Sequence, residues 1–239
     1  MKTKTLLVIF ATFVIIAMVA FVAYFIFFPK KTETVELLTA SESAQKEPFE
    51  LFNGKNLDGW GFVLKDSTVN AGKVFSVKDG WIDIAGEPFG YMYSEAVFSN
   101  FQLHIEWRWP GEATNSGIFL FVQDDKKVWP NAIECQLHAG DAGDFVLLGG
   151  SDLAEFQLPE GEERPDFPKV KKKEASSENP AGEWNTAEIT CENGSITVYI
   201  NGVLQNKGTQ SLHKQGRIAL QSEGKEIQFR NVRITELPL

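Results

Sequence analysis

Three short stretches of the chain concentrate the residues that could do chemistry. In Glu134-Cys135-Gln136-Leu137-His138, polar groups occupy every second position. The same spacing recurs in His104-Ile105-Glu106-Trp107-Arg108-Trp109 and in Arg217-Ile218-Ala219-Leu220-Gln221-Ser222-Glu223. Successive side chains of a strand point to opposite faces. As strands, all three therefore carry one apolar face and one face of carboxylates, amides, a guanidinium or imidazoles. Such a face can be no more than the solvent side of a sandwich. The recurrence of Glu, Gln, His and Arg, in place of Lys, Thr and Ser, suits a surface that hydrogen-bonds the hydroxyls of a sugar. A retaining glycoside hydrolase needs two carboxylates about 5 Å apart. The first stretch supplies only Glu134, so a partner would have to come from Glu106 or Glu223 on a neighbouring strand.

The elements that must hold these residues follow from the turn signals. From Phe49 onward, short apolar runs alternate with Gly, Asn and Asp, the pattern of sandwiches and barrels. Strands are predicted over 102–109, 117–123, 132–138, 216–222 and 228–235. Asn193-Gly194 and Asn201-Gly202 each fit a two-residue hairpin turn with positive φ at both positions, which predicts a three-stranded meander over 186–205. Asn193-Gly194-Ser195 is also a glycosylation sequon, but the turn explains it better. The segment 152–180, rich in Pro, Glu and Lys, is long for a loop in a compact domain and is a candidate wall of a binding cleft. Asp141 and Asp144, in a Gly/Asp-rich turn, could meet a cation or a sugar, although such turns more often only reverse the chain.

Composition bounds the rest. The 239 residues include 19 Phe and 6 Trp, enough large side chains to fill the gap between two sheets. A net charge of −9 excludes a nucleic-acid partner, because phosphates would be repelled without a basic patch. The one basic run, Lys169 with Lys171 to Lys173, reads as a solvated loop. No glycine-rich phosphate loop precedes a helix, so nucleotide chemistry has no support. Cys135 and Cys191 lack zinc-ligand spacing and fall inside apolar strand patterns; they are expected as buried free thiols, with a disulfide as the alternative. Lys2 and Lys4 precede an uncharged run from Leu6 to Phe28, long enough to span about 30 Å of hydrocarbon. The run ends in Phe27-Phe28-Pro29-Lys30-Lys31, without the small residues of a signal-peptidase site. It predicts an uncleaved membrane anchor over 1–31, with a cleaved signal as the alternative, and a flexible linker over 32–48. The domain over 49–239 is then expected outside the cytoplasm, periplasmic or at the cell surface, or secreted if the segment is cleaved.

The chain also resembles the 3-keto-disaccharide hydrolase domain family over about Phe49 to Leu237. The matching stretches run in order: Phe49 to Trp60, Phe101 to Trp109, Asn115-Ser116-Gly117, Ile133 to Gln136, Gly182 to Thr186, Tyr199 to Gly202, Ile218 to Gly224 and Ile227 to Val232. No single piece is specific, but their order and spacing together are. The resemblance implies an all-β, concanavalin-like jelly roll of two antiparallel sheets, here preceded by one N-terminal transmembrane or signal helix. It also implies action on glycosides oxidised at C3, whose ketone acidifies the C2 hydrogen so that the C1 substituent leaves by elimination and water adds afterwards. That chemistry needs one base, one electrophile for the enolate oxygen and one acid for the leaving group, rather than a carboxylate pair. A Glu/His/Arg constellation would suffice, with or without a divalent metal ion. For that chemistry Glu134, or His138 two residues beyond its matching stretch, is expected as the base and Arg108 as the enolate's partner. Glu106, Asn115, Ser116, Gln136, Asp144, Gln221, Glu223 and Arg230 are expected to bind the sugar. The competing functions are a conventional glycoside hydrolase using Glu134 with Glu106 or Glu223, and a non-catalytic carbohydrate-binding module at the cell surface.

Overall fold

The computed structural model describes residues 47–123 and 126–238. The predicted anchor, and the linker up to residue 46, lie outside the described residues. Among the described residues, no helix is long and apolar enough to cross a membrane.

The strands, in chain order, are β1 (Phe49–Glu50), β2 (Trp60–Leu64), β3 (Phe75–Lys78), β4 (Trp81–Ile84), β5 (Gly90–Ser94), β6 (Phe101–Arg108), β7 (Gly117–Val122) and β8 (Ala132–Gln136). They continue with β9 (Phe145–Leu148), β10 (Lys169–Val170), β11 (Asn185–Glu192), β12 (Ser195–Ile200), β13 (Val203–Gly208), β14 (Arg217–Ser222) and β15 (Ile227–Glu236). Two antiparallel sheets result. The first runs β13-β12-β11-β6-β15-β4-β3, with β1 on the far end of β15; the second runs β10-β9-β8-β7-β14-β5-β2. This is a two-sheet, all-β sandwich.

The predicted strands occur within one or two residues of their expected limits. The meander forms as β11–β12–β13, and its two turns have positive φ at Asn193, Gly194, Asn201 and Gly202. Parity then decides which side of each strand enters the core. Ile105 and Trp107 of β6, Phe229 and Ile234 of β15, Ile133 and Cys135 of β8, and Ile218 and Leu220 of β14 meet in one buried cluster between the sheets. Cys135 and Cys191, one from each sheet, are both buried there as free thiols.

The outward faces of the two sheets differ. The first sheet's outer face is polar. The second sheet's outer face is instead an apolar floor, built from Tyr91, Phe119, Ala132, Val146, Leu148 and Ala219 and backed by Val63, Tyr93 and Trp129. Strands β7, β8 and β9 are therefore buried on both sides. The Tyr91 hydroxyl donates to the Lys127 carbonyl (2.8 Å), which draws the segment carrying Trp129 across this floor.

Candidate active site on the outer face of the second sheet

A cavity of about 220 Å³ opens on that floor. Glu134 and Gln136 of β8 reach it from one strand, and Val146 and Leu148 of β9 from the next. Asn115 and Glu223 face each other across an isolated bridge beyond the ends of β7 and β14, and both line it. Lys169 of β10, with Phe167 just before it and Trp129 above, completes the wall. Trp129 and Phe167 meet edge to face, with ring centroids 5.3 Å apart.

The polar groups here are short of donors. Glu134 is 3% exposed, and its Oε1 has no hydrogen-bond partner among the described residues; neither has Oδ1 of Asn115 or Oε1 of Gln221. Buried acceptors without donors are costly and uncommon. Gln221 Nε2 donates to Glu223 Oε2 (2.7 Å). Gln136 Oε1 accepts from the Leu137 and His138 amides (both 3.1 Å), which fixes the amide against the strand end.

Burial pushes the Glu134 carboxyl well above the usual carboxylate range, the nearby Glu223 pushes it further, and Lys169 opposes both. Both causes that raise it favour the protonated form of Glu134. Burial also raises Glu223, but hydrogen bonds from Asn115 and Gln221 and the charges of His138 and Lys169 hold the rise down. One cavity therefore contains two carboxyl groups whose surroundings separate their proton affinities, the pattern expected of an acid and a base. Position 117 must be glycine for this arrangement: a Cβ there would lie 2.3 Å from Glu134 Oε1.

Comparison with known proteins agrees with the sandwich. A model of the 3-keto-alpha-glucoside-1,2-lyase-like domain matches residues 47–235. The chain belongs to this family. A 3-keto-disaccharide hydrolase of Bacteroides thetaiotaomicron is 22% identical over 78% of this chain and 77% of its own. Among solved structures, a Parabacteroides distasonis protein provisionally named a glycosyl hydrolase superposes with a TM-score of 0.60 at 23% identity, over 84% of this chain and 99% of that one. A carbohydrate-binding module of Bacillus subtilis has the same fold, with a TM-score of 0.53 at 12% identity over 76% of this chain and 98% of its own.

Within this lyase-like domain, the expected site residues divide between two places. Asn115, Glu134, Gln136 and Glu223 line the cavity, and Gln221 reaches it through Glu223. Ser116 lies beneath, buried, with its hydroxyl donating to the Gln221 carbonyl (2.8 Å). His138 falls past the end of β8, half exposed, with Nδ1 3.3 Å from Asp141 Oδ2; it contributes charge to Glu223 but does not line the cavity.

Glu106, Arg108 and Arg230 correct the sequence reading. Ile105 and Trp107 share one core cluster with Ile133 and Cys135, so Glu106 and Glu134 point out of opposite sides of the sandwich. On that other side, a bulge in β15 between Arg230 and Arg233 turns Arg230 and Asn231 together onto Glu106. Arg230 contacts the carboxylate through Nε and Nη2 (both 2.7 Å), and Asn231 donates to it at 2.6 Å. Burial works against that charge, yet the hydrogen bonds outweigh it and keep the Glu106 carboxyl below its usual range. Arg108 lies over the edge-to-face pair of Trp81 and Trp184, 5.0 and 4.6 Å from their centroids, and donates to Gln228 (2.8 Å). Arg230 stacks on Trp184 at 4.0 Å. These residues form a closed Arg–Trp ladder, and Arg108 cannot meet an enolate beside Glu134.

Asp144 is a second correction. Its buried carboxylate accepts from Lys171 Nζ (2.7 Å) and the Lys172 amide (2.8 Å), and so anchors the strand that carries Lys169 instead of touching the cavity. Lys169, read from sequence as solvated, lines the cavity as its cation. Trp129 and Phe167 were not singled out either. All three sit in loops or a two-residue strand, where no periodicity marks them. Among the described residues, no group of three or more His, Cys, Asp or Glu side chains is placed to hold a metal ion, so no step is assigned to one.

Proposed function

We propose that the chain cleaves glycosides oxidised at C3. The observation that carries this reading is one cavity that holds two carboxyl groups, the buried Glu134 and the Gln221-bonded Glu223, with Lys169 on the same wall. Ionised Glu223 takes the C2 proton that the neighbouring ketone has acidified. The electron pair moves onto the C3 oxygen, and Lys169 balances the enolate charge there. As the enolate collapses, the C1–O bond breaks and Glu134 gives its proton to the departing oxygen. Water then adds across the new double bond: its hydroxyl joins C1, its proton returns to Glu134, and Glu223 restores the proton to C2. The unpaired acceptors of Asn115 and Gln221 take hydroxyl hydrogens of the ring.

The same pair supports a second reading, conventional hydrolysis with Glu134 as acid and Glu223 as nucleophile. Incubating the protein with a chromogenic glucoside and with its 3-keto derivative separates the two. Cleavage of the keto compound alone is the expected result, whereas cleavage of the unmodified glucoside would replace the first reading by the second. Sugar binding with no turnover of either would make the domain a binding module. The apolar run over residues 6–28 supports a membrane anchor that holds this activity outside the cytoplasm.

A further inference from the structure

Acceptors outnumber donors on the floor of the Glu134 cavity. The side-chain amides of Asn115 and Gln221 both donate to Glu223, which leaves Asn115 Oδ1 and Gln221 Oε1 open beside Glu134 Oε1. A bound sugar satisfies such oxygens with its hydroxyls. A carbonyl cannot, because it only accepts. Oxidation at C3 therefore brings an acceptor into a cavity already rich in acceptors, and that oxygen needs a donor of its own.

Gln136 has the opposite polarity. Its Oε1 accepts from the Leu137 and His138 amides (both 3.1 Å). An amide NH2 group cannot accept, so the oxygen must be the end that faces the two N–H groups. The NH2 group is left on the other side, and among the described residues it donates to nothing. Gln136 is buried and lines the cavity, so little solvent competes for those hydrogens. Register brings it to the reacting groups. It stands opposite Gly117 on the neighbouring strand. Gly117 has no side chain, and the Glu134 carboxyl lies over it, where a Cβ would come within 2.3 Å of Oε1. The Gln136 amide is thus held by backbone beside Glu134, whereas Lys169 is exposed and reaches the cavity on a flexible stem.

A donor fixed before the reaction costs no reorganisation when charge develops on its acceptor. Resting on the function proposed above, we propose that Gln136 is a catalytic residue: its Nε2 donates to the C3 oxygen of the bound ketone and holds that oxygen as it becomes an enolate. The C2–H bond breaks toward Glu223. Its electron pair forms the C2–C3 double bond, and the π pair of the ketone moves onto the C3 oxygen. The Gln136 hydrogen stays on nitrogen throughout, so the amide strengthens one hydrogen bond and transfers nothing. Lys169 supplies net charge to the enolate, and Gln136 supplies its fixed direction.

The test uses the full-length chain and two variants. Gln136→Glu keeps an oxygen for the Leu137 and His138 amides and loses the donor, whereas Gln136→Met loses both. Removing one donor to an oxyanion costs about 10²–10³ in kcat. Both variants should fall by that factor on a 3-keto-glucoside, with KM changed far less. An amide that only braces the strand end gives a different result: Gln136→Met falls while Gln136→Glu keeps the wild-type kcat. That result overturns the proposal. A second readout needs no cleavage. The 3-keto derivative of 1,5-anhydroglucitol has no leaving group on C1. With carbon-13 at C3, its carbonyl stretch can be followed by isotope-edited infrared spectroscopy. Binding to the wild type should lower the stretch below its value in water, and both variants should lose most of that shift. An unshifted stretch in the wild type, or an equal shift in all three proteins, removes Gln136 from the reaction. Failure of the wild type to cleave the 3-keto-glucoside strikes the proposed function instead, and the infrared comparison still decides whether Gln136 holds the ketone.

Discussion

Under the proposed reaction, replacing Glu134 by Gln keeps the shape of the side chain and removes the proton given to the leaving oxygen. Turnover should fall by at least about a hundredfold, the lower range for a general acid, with the circular-dichroism spectrum unchanged. The same variant reports on stability. Glu134 has a higher pKa folded than unfolded, so the folded state holds its proton over a range where the unfolded state has lost it. Its contribution is fully present below the unfolded value near 4.5 and is lost as pH rises through the folded value. The melting temperature of Glu134→Gln should therefore gain on the wild type as pH rises from about 4.5; a difference independent of pH would refute a buried neutral carboxyl. Gly117→Ala puts a methyl group against Glu134 Oε1. It should cost about 1–3 kcal/mol by overpacking and reduce kcat more than tenfold, although no reacting group has been changed.

At the scale of elements, the cavity wall depends on a short strand held from behind. Asp144 binds Lys171 and the Lys172 amide and so fixes β10, which positions Lys169. Asp144→Asn should cost about 1–3 kcal/mol through a weakened buried hydrogen bond and raise KM more than it lowers kcat. A KM within twofold of wild type would separate Asp144 from the wall. Strands such as β6, β8 and β14 were legible in the sequence because alternation has a period, and their limits fell within two residues of expectation. Trp129, Phe167 and Lys169 were not, since what places them is tertiary: the Tyr91 hydroxyl bond to Lys127 and the Asp144 anchor. The segment over 152–180 was marked as a possible wall by length and composition, which carry no information about which of its residues turn inward.

For the molecule as a whole, alternation told which face of each strand was polar, but not to which sheet the strand belonged. Glu106 and Glu134 have the same signature in sequence and emerge on opposite sides of the sandwich. The polar face of β6 was therefore grouped with that of β8 for want of any local signal of sheet membership. Arg108→Ala tests the separation: it should lose about 1–2 kcal/mol of stability, from stacking against two indoles, while kcat/KM stays within about twofold. A hundredfold loss of activity would return Arg108 to the reaction.

The pairing of β1 with the distal half of β15, Phe49 opposite Ile234, brings the first and last strands of the domain together on the first sheet. The Glu134 cavity opens from the second sheet. A surface, bead or fused protein joined at either of those strands therefore attaches to the back of the sandwich and leaves the cavity mouth free for a polymer to approach. The domain can be immobilised through either of those strands without choosing between attachment and access.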